Sequence, residues 1–285
     1  MRFPNYHTHT HYCDGTSLAE EYIKAAVKSG MPALGFSGHA PVPIKSWWNM
    51  DSLKYRKYRT EIQELKKKYQ GTIDIYWGVE ADFIDDIIEP DDFRRDNPDY
   101  IIGGIHFLPI DDTEDNWDFI SKAKYFEQGF ERYFNNDAEK LVKHYYTQMN
   151  KMLESNNPDI IAHIDQVNKF NWGDFYFSEE AAFYTKAVDE TLDMVKQNGA
   201  IVEINTRIAY RKLSEQFNPS PSILKKMKAL NIPIVFSADA HKPEQVNMML
   251  NDAAEMAMAA GYEEYYAFNG KKFRPKSLKP KAKKA

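Results

Sequence analysis

Three histidines, His7, His9 and His11, stand on alternate positions of the segment NYHTHTHYCDG (5–15), and Asp14 closes it. In an extended strand residues i and i+2 point to the same side, so His7 and His9 converge, as do Asp239 and His241 in SADAH (237–241). Between these pairs, apolar runs end on single polar residues: ALGFSG on His39, IDIYWGV on Glu80, YIIGGI on His106 and DIIA on His163. A lone core imidazole satisfies its nitrogens with backbone groups, but a whole set at one end of a sheet, with carboxylates, is costly to bury unless positive charge neutralises it. Metal ions supply that charge. Neutral imidazoles with carboxylates suit zinc, iron or manganese, and the lack of cysteine ligands argues against a structural zinc site.

To bring these residues together, the chain must present many strand ends at one face. A short strand at 3–6 runs into the opening motif. Then SLAEEYIKAAVKSG places Ser17 and Glu20 at capping-box spacing, with Gly30 as the stop. Apolar runs at 33–40, 72–80, 100–108, 159–165, 200–206 and 232–241 alternate with helical patterns near 52–71, 137–156, 179–198, 220–230 and 244–260. Seven strands, most followed by a helix and apolar on both faces, predict a parallel α/β sheet covered by helices. An open doubly wound sheet would gather its site at one switch point, whereas here almost every strand contributes, which favours a barrel. Residues 1–270 are expected to form this single barrel. The basic, proline-interrupted tail KKFRPKSLKPKAKKA (271–285) is expected to leave it and stay mobile.

With 285 residues, 43% of them hydrophobic, the chain is long enough to bury a substantial core. A net charge of −5 argues against nucleic-acid binding through a general basic surface. No run approaches the roughly 18 apolar residues of a membrane helix, and the single cysteine, Cys13, cannot form an internal disulfide. A cytoplasmic protein with no membrane partner is expected.

The motifs HTH (7–9) with Asp14, SGHA, GVEAD, GGIHFL, AHID and SADAH together resemble the polymerase and histidinol phosphatase (PHP) superfamily over nearly the whole chain except the tail. The segments IIGGIHFL and IIAHIDQVNKFN look most like its histidinol-phosphatases, in histidine biosynthesis. The resemblance implies a distorted (β/α)7 TIM-like barrel with three metal ions at the C-terminal strand ends. Carried over residue by residue, it implies one ion on His7, His9, Glu80 and Asp239. A second falls on Glu80, His106 and His163, with Glu80 bridging, and a third on Asp14, His39 and His241. His11 matches no ligand position and is expected either behind a ligand, hydrogen-bonding it, or at the rim.

The implied reaction is hydrolysis of L-histidinol phosphate to L-histidinol and phosphate by a metal-bridging hydroxide, since a water shared by two ions is acidified toward neutral pH. A small anionic substrate also calls for cations at the mouth. Arg207, directly after the sixth strand, is the first choice, because guanidinium grips two phosphate oxygens at once. Lys169 and Arg211 are further candidates, Asp239 is a candidate proton donor, and His144 reads as a helix-packing histidine. The aromatic segments SWWNM (46–50) and DNWDF (115–119) lie where loops could wall the pocket. Alternatives are a phosphotyrosine or nucleotide phosphatase of the same superfamily, an associated exonuclease, or a binding module that has lost catalysis. Nothing in the motifs specifies an oligomeric state.

Overall fold

The computed structural model describes residues 1–279. After the opening segment come α1 (Ala19–Lys28), β1 (Ala33–Phe36), α2 (Ser52–Lys68), β2 (Asp74–Asp82) and β3 (Tyr100–Gly104). A small hairpin of β4 (Phe107–Pro109) and β5 (Asn116–Asp118) precedes α3 (Ala123–Phe134), α4 (Ala138–Ser155) and β6 (Ile160–Ile161). Then follow α5 (Ala182–Asn198), β7 (Ile201–Asn205), α6 (Arg207–Tyr210), α7 (Pro221–Ala229), β8 (Ile234–Ser237) and α8 (Leu250–Ala259). A second hairpin, β9 (Glu264–Phe268) and β10 (Phe273–Ser277), comes last.

Six strands form one parallel sheet in the order β1-β2-β3-β6-β7-β8. Residues 5–9 close it into a distorted seven-stranded barrel. On one side Gly35 N–H donates to Asn5 O (2.8 Å) and Ser37 N–H to Thr8 O (3.0 Å); on the other, His9 N–H donates to Ala240 O (2.8 Å) and Ala240 N–H to His7 O (3.1 Å). The expected first strand is therefore a stave held by isolated bridges rather than a continuous ladder. Buried Asn5 stiffens it, its side-chain oxygen accepting from His7 N (3.1 Å) and Ala238 N (3.0 Å).

The pleat decides what faces inward. Along β2, Ile75, Trp77, Val79 and Ala81 pack outward against the helices, while Tyr76 joins an inner cluster with Tyr6, Tyr100, Ile102, Ile160 and Val235. The same alternation places Glu80 and Asp82, two and three pleats above Tyr76, on the inner side near the open end. A Cβ on Gly35 or Gly78 would stand 2.3 and 2.6 Å from the Tyr100 ring or hydroxyl, so both glycines are needed for that ring to fill the barrel interior.

Several local expectations differ from the structure. α1 starts at Ala19, and it is Glu21, not Glu20, whose carboxylate reaches back to the Leu18 N–H (3.2 Å); Glu20 instead pairs with Lys68 across to α2. The run 100–108 is not one strand. It leaves the barrel after Gly104 and re-forms as β4 against β5, with His106 at the break. Residues 273–277 of the expected mobile tail form β10, antiparallel to β9. Phe273 packs on Tyr6 (5.4 Å between ring centroids) and Phe268 (5.1 Å), so the hairpin covers the barrel floor. One inward aromatic suffices for this, and the exposed Arg and Lys around it hide the strand from periodicity. The remainder of the tail, 280–285, lies outside the described residues. No helix among the described residues is long and apolar enough to cross a membrane.

Candidate metal centre

All nine expected ligands converge at the C-terminal ends of the barrel strands. Their donor atoms form overlapping groups within 4.8 Å: His7, His9 and Asp239; Glu80, His106 and His163; and His9, Asp14, His39 and His241. Glu80, 1% exposed, stands between the groups. Its Oε2 lies 3.1 Å from His7 Nε2, 3.4 Å from His9 Nε2 and 2.9 Å from His39 Nδ1; its Oε1 lies 3.1 Å from His163 Nε2 and 3.3 Å from His106 Nε2. Asp239 Oδ1 is 3.2 Å from His9 Nε2, and Asp14 Oδ2 is 2.9 Å from His241 Nε2.

These separations fit donors around shared cations. Ligands about 2.1 Å from one ion stand about 3.0–3.4 Å from each other. His7 Nε2, His9 Nε2, Asp14 Oδ1, His39 Nδ1, Glu80 Oε2 and Asp239 Oδ1 are all buried without a hydrogen-bond partner. His106 Nε2 and His163 Nε2 face each other at 3.1 Å, a gap that one shared proton fills in the metal-free protein and that an ion held by both rings would fill in its place.

The electrostatics repeat the demand. Against the pull of burial, Glu80, Glu203 and Asp239 hold the His7 imidazole well above its usual range, and Asp14 and Asp239 do the same for His9. Burial also opposes the charge on Asp14, Glu80 and Asp239, yet the surrounding imidazoles, joined at Asp239 by Arg207, keep all three carboxyls well below their usual range. Burial lowers His163, and burial with the neighbouring Arg207 takes His241 down to about 3; around His7 and His9, carboxylates that stay ionised beside imidazoles that draw protons describe a site that takes up positive charge. The donor set of imidazole and carboxylate suits zinc, iron or manganese.

Two buried carboxylates were absent from the expected set. Asp82 Oδ1 lies 2.8 Å from His106 Nδ1, fixing the ring so that Nε2 faces Glu80. Glu203 lies inside β7 at 0% exposure. Both carried a signal: Asp82 is two residues beyond Glu80 on the same face, and Glu203 is the one charged residue of the strand IVEIN.

Above the cluster opens a cavity of about 480 Å³, lined by Lys169, Arg207 and Arg211 together with Lys122 and Lys242. Arg207 Nη1 donates to Asp239 O (2.9 Å) and sits 2.6 Å from His241 Nδ1, so its guanidinium is held against the cluster. Lys169 is half-buried, and Arg211 is exposed at the rim. Of the aromatic segments, Trp47 and Trp48 line the cavity. Trp48 is anchored by stacking on Phe107 (4.9 Å) and by donating to Asp118 (3.2 Å). Trp117 does not reach the cavity; it packs against Phe126 and Phe134 of α3. His11 is exposed, and His144 on α4 lies 2.6 Å from Pro109 O, away from the cluster.

The model of the PHP domain family matches residues 5–207. A Deinococcus radiodurans protein named "Probable histidinol-phosphatase" is 27% identical over 259 residues, covering 87% of this chain and 90% of that one. The Bacillus subtilis histidinol-phosphatase is 27% identical over 263 residues, covering 84% and 94%. A histidinol phosphate phosphatase from Lactococcus lactis, solved with zinc, L-histidinol and phosphate, has a TM-score of 0.72 at 18% identity, covering 96% of this chain and 99% of that one. That last likeness shows the fold.

Proposed function

The chain belongs to the PHP domain family, and from that premise we propose that it is a metal-dependent phosphomonoesterase hydrolysing L-histidinol phosphate to L-histidinol and phosphate. The observation that carries the hydrolytic reading is the buried set of unpartnered imidazole and carboxylate atoms beneath a cation-lined cavity. The leaving group is read from the relatives named histidinol-phosphatase, which match along most of the chain.

Three ions are assigned as the sequence resemblance implies: His7, His9, Glu80 and Asp239 for one; Glu80, His106 and His163 for the second; Asp14, His39 and His241 for the third. Bound ions would acidify water and neutralise charge on the phosphoryl oxygens. The chain's own part is to hold and orient. Arg207, fixed by Asp239 O and His241, presents its remaining N–H groups to a phosphate at the cavity floor. Lys169 adds a second positive charge, and Arg211 attracts the anion at the rim. Asp239, ionised, accepts a proton from the attacking water before it can return one to the departing alkoxide.

Lys169 provides a pH signature. Burial, and then repulsion from Arg207 and Arg211, push its amine down to about 8. It is charged below that value and neutral above it, so kcat/KM for a phosphomonoester falls as pH rises through about 8. In Lys169→Arg, whose guanidinium stays charged, this alkaline limb disappears from the pH–rate profile. A limb unchanged in that variant would remove Lys169 from the phosphate grip.

The substrate assignment is tested by comparing kcat/KM for histidinol phosphate with phosphotyrosine, a nucleoside monophosphate and an aryl phosphate. Histidinol phosphate should exceed the others by on the order of 100-fold or more, which corresponds to a few kcal/mol of differential transition-state binding. Equal values would leave a general phosphomonoesterase, and a preference for phosphotyrosine or a nucleotide would reassign the substrate.

A further inference from the structure

We infer that Glu203, which faces no ion position itself, is the positioning residue that holds ligands of two neighbouring ion positions in one arrangement. The inference rests on the metal-centre reading above and adds a residue to it. Glu203 is fully buried in β7, and both of its oxygens are occupied by N–H groups. Oε2 lies 2.9 Å from His7 Nδ1. Oε1 accepts from the backbone N–H of His163 at 3.0 Å and from Asn205 Nδ2 at 2.7 Å. That Asn205 amide also donates to Asp239 Oδ2 at 3.2 Å. One carboxylate thus touches His7 and His163 directly and Asp239 through one side chain, three ligands delivered by three different strand ends.

Each contact fixes something a ligand needs. Opposite an ionised carboxylate, His7 carries its proton on Nδ1, which leaves Nε2 bare toward Glu80 and Asp239, where it has no other partner. His163 has a φ of 21°, a backbone conformation that residues with side chains rarely adopt, and its N–H is held there by Glu203. The Asn205 amide cannot turn around, because its Oδ1 accepts from the Arg207 N–H at 2.9 Å. All three groups facing Glu203 are therefore donors. Only a carboxylate, an acceptor on both oxygens, answers all of them.

Glutamine in the same place has one acceptor and one donor end. If its oxygen serves His163 and Asn205, its NH₂ faces His7 Nδ1, and His7 accommodates it by moving its own proton to Nε2, the atom that should bind an ion. If the amide turns over, two donors meet at His163 and Asn205 instead. Glu203→Gln is nearly isosteric and leaves every assigned ion ligand in place, so its effect reports on positioning.

The test is zinc binding to the full chain, measured by competition with a chelator of known affinity, with ions counted by elemental analysis and the fold checked by circular dichroism and melting of the metal-free protein. Glu203→Gln should fold as the parent does and bind two of its ions on the order of 10–100-fold more weakly, while the ion assigned to Asp14, His39 and His241 keeps its affinity. Ion affinities within twofold of the parent overturn the inference. Equal weakening of all three ions also overturns it, because that describes a general loosening of the barrel. If Glu203→Gln does not fold, Glu203→Asp decides: its carboxylate keeps the acceptors but stands one carbon short of His7, and parent-like affinity there refutes the role. A parent protein that takes up no zinc would instead refute the metal-centre reading, a result separate from any of these.

Discussion

Replacing Glu80 with alanine should lower turnover by on the order of 1,000-fold or more at saturating metal, several kcal/mol of transition-state stabilisation. Among the described residues, no other side chain stands among His7, His9, His39, His106 and His163 at once. On the proposed assignment its loss would take a ligand from two ion positions and remove the buried negative charge that would let two cations lie side by side. Glu80→Gln keeps the volume and loses the charge, so it should fall nearly as far. Steady-state kcat, with bound metal counted in the same preparation, measures the effect; turnover within tenfold of the parent in either variant would remove Glu80 from the bridging position.

Stripping the metal should abolish phosphatase activity to background and lower the melting temperature by on the order of 10 °C, the shift expected when a ligand present at about a thousand times its Kd is withdrawn from a domain of this size. Activity should return on adding zinc or manganese. The loss of stability has a definite pH dependence. In the metal-free protein His7 and His9 have raised pKa values despite their burial, and carboxylates lift His106 to about 10. At His7, His9 and His106 protons therefore substitute for the ions at low pH, while His163 and His241, both lowered, stay neutral. That stabilisation is fully present below the unfolded value of about 6.5 and is lost as pH climbs through the folded values. Metal binding meanwhile strengthens with pH, because ligand imidazoles must be unprotonated. These are two sides of one competition between protons and ions for the same imidazoles, so the gap between metal-loaded and metal-free melting temperatures widens from pH 6 to pH 9. A gap that narrows, or activity that survives chelation, would contradict the metal-centre reading.

What the sequence made legible follows from the pleat. His7 and His9, or Asp239 and His241, share a face because a strand repeats every two residues, and apolar runs that end on one polar residue mark where a strand meets the open face. The elements that escaped were those whose role depends on partners distant in sequence. Nothing in PDYIIGGIHFLPI announces that the strand leaves the barrel at Gly104, since the partner that draws β4 away is β5, itself rich in polar residues. Phe273 closes the floor only because Tyr6 and Phe268 wait for it. Asp82 and Glu203 look like ordinary strand charges until His106 and His7 are seen against them.

The covered floor has a kinetic consequence. The barrel beneath the cluster is filled by Tyr6, Tyr76 and Tyr100 and covered by the β9–β10 hairpin, so among the described residues the cavity above the cluster is the approach to it. With the phosphate seated deepest, as proposed, a substrate enters phosphate first and its alcohol half is the cork. After cleavage the alcohol leaves first and inorganic phosphate last, and the free site is the one phosphate competes for. Product phosphate is then expected to inhibit competitively against the substrate, so that in the proposed reaction its accumulation would slow further turnover.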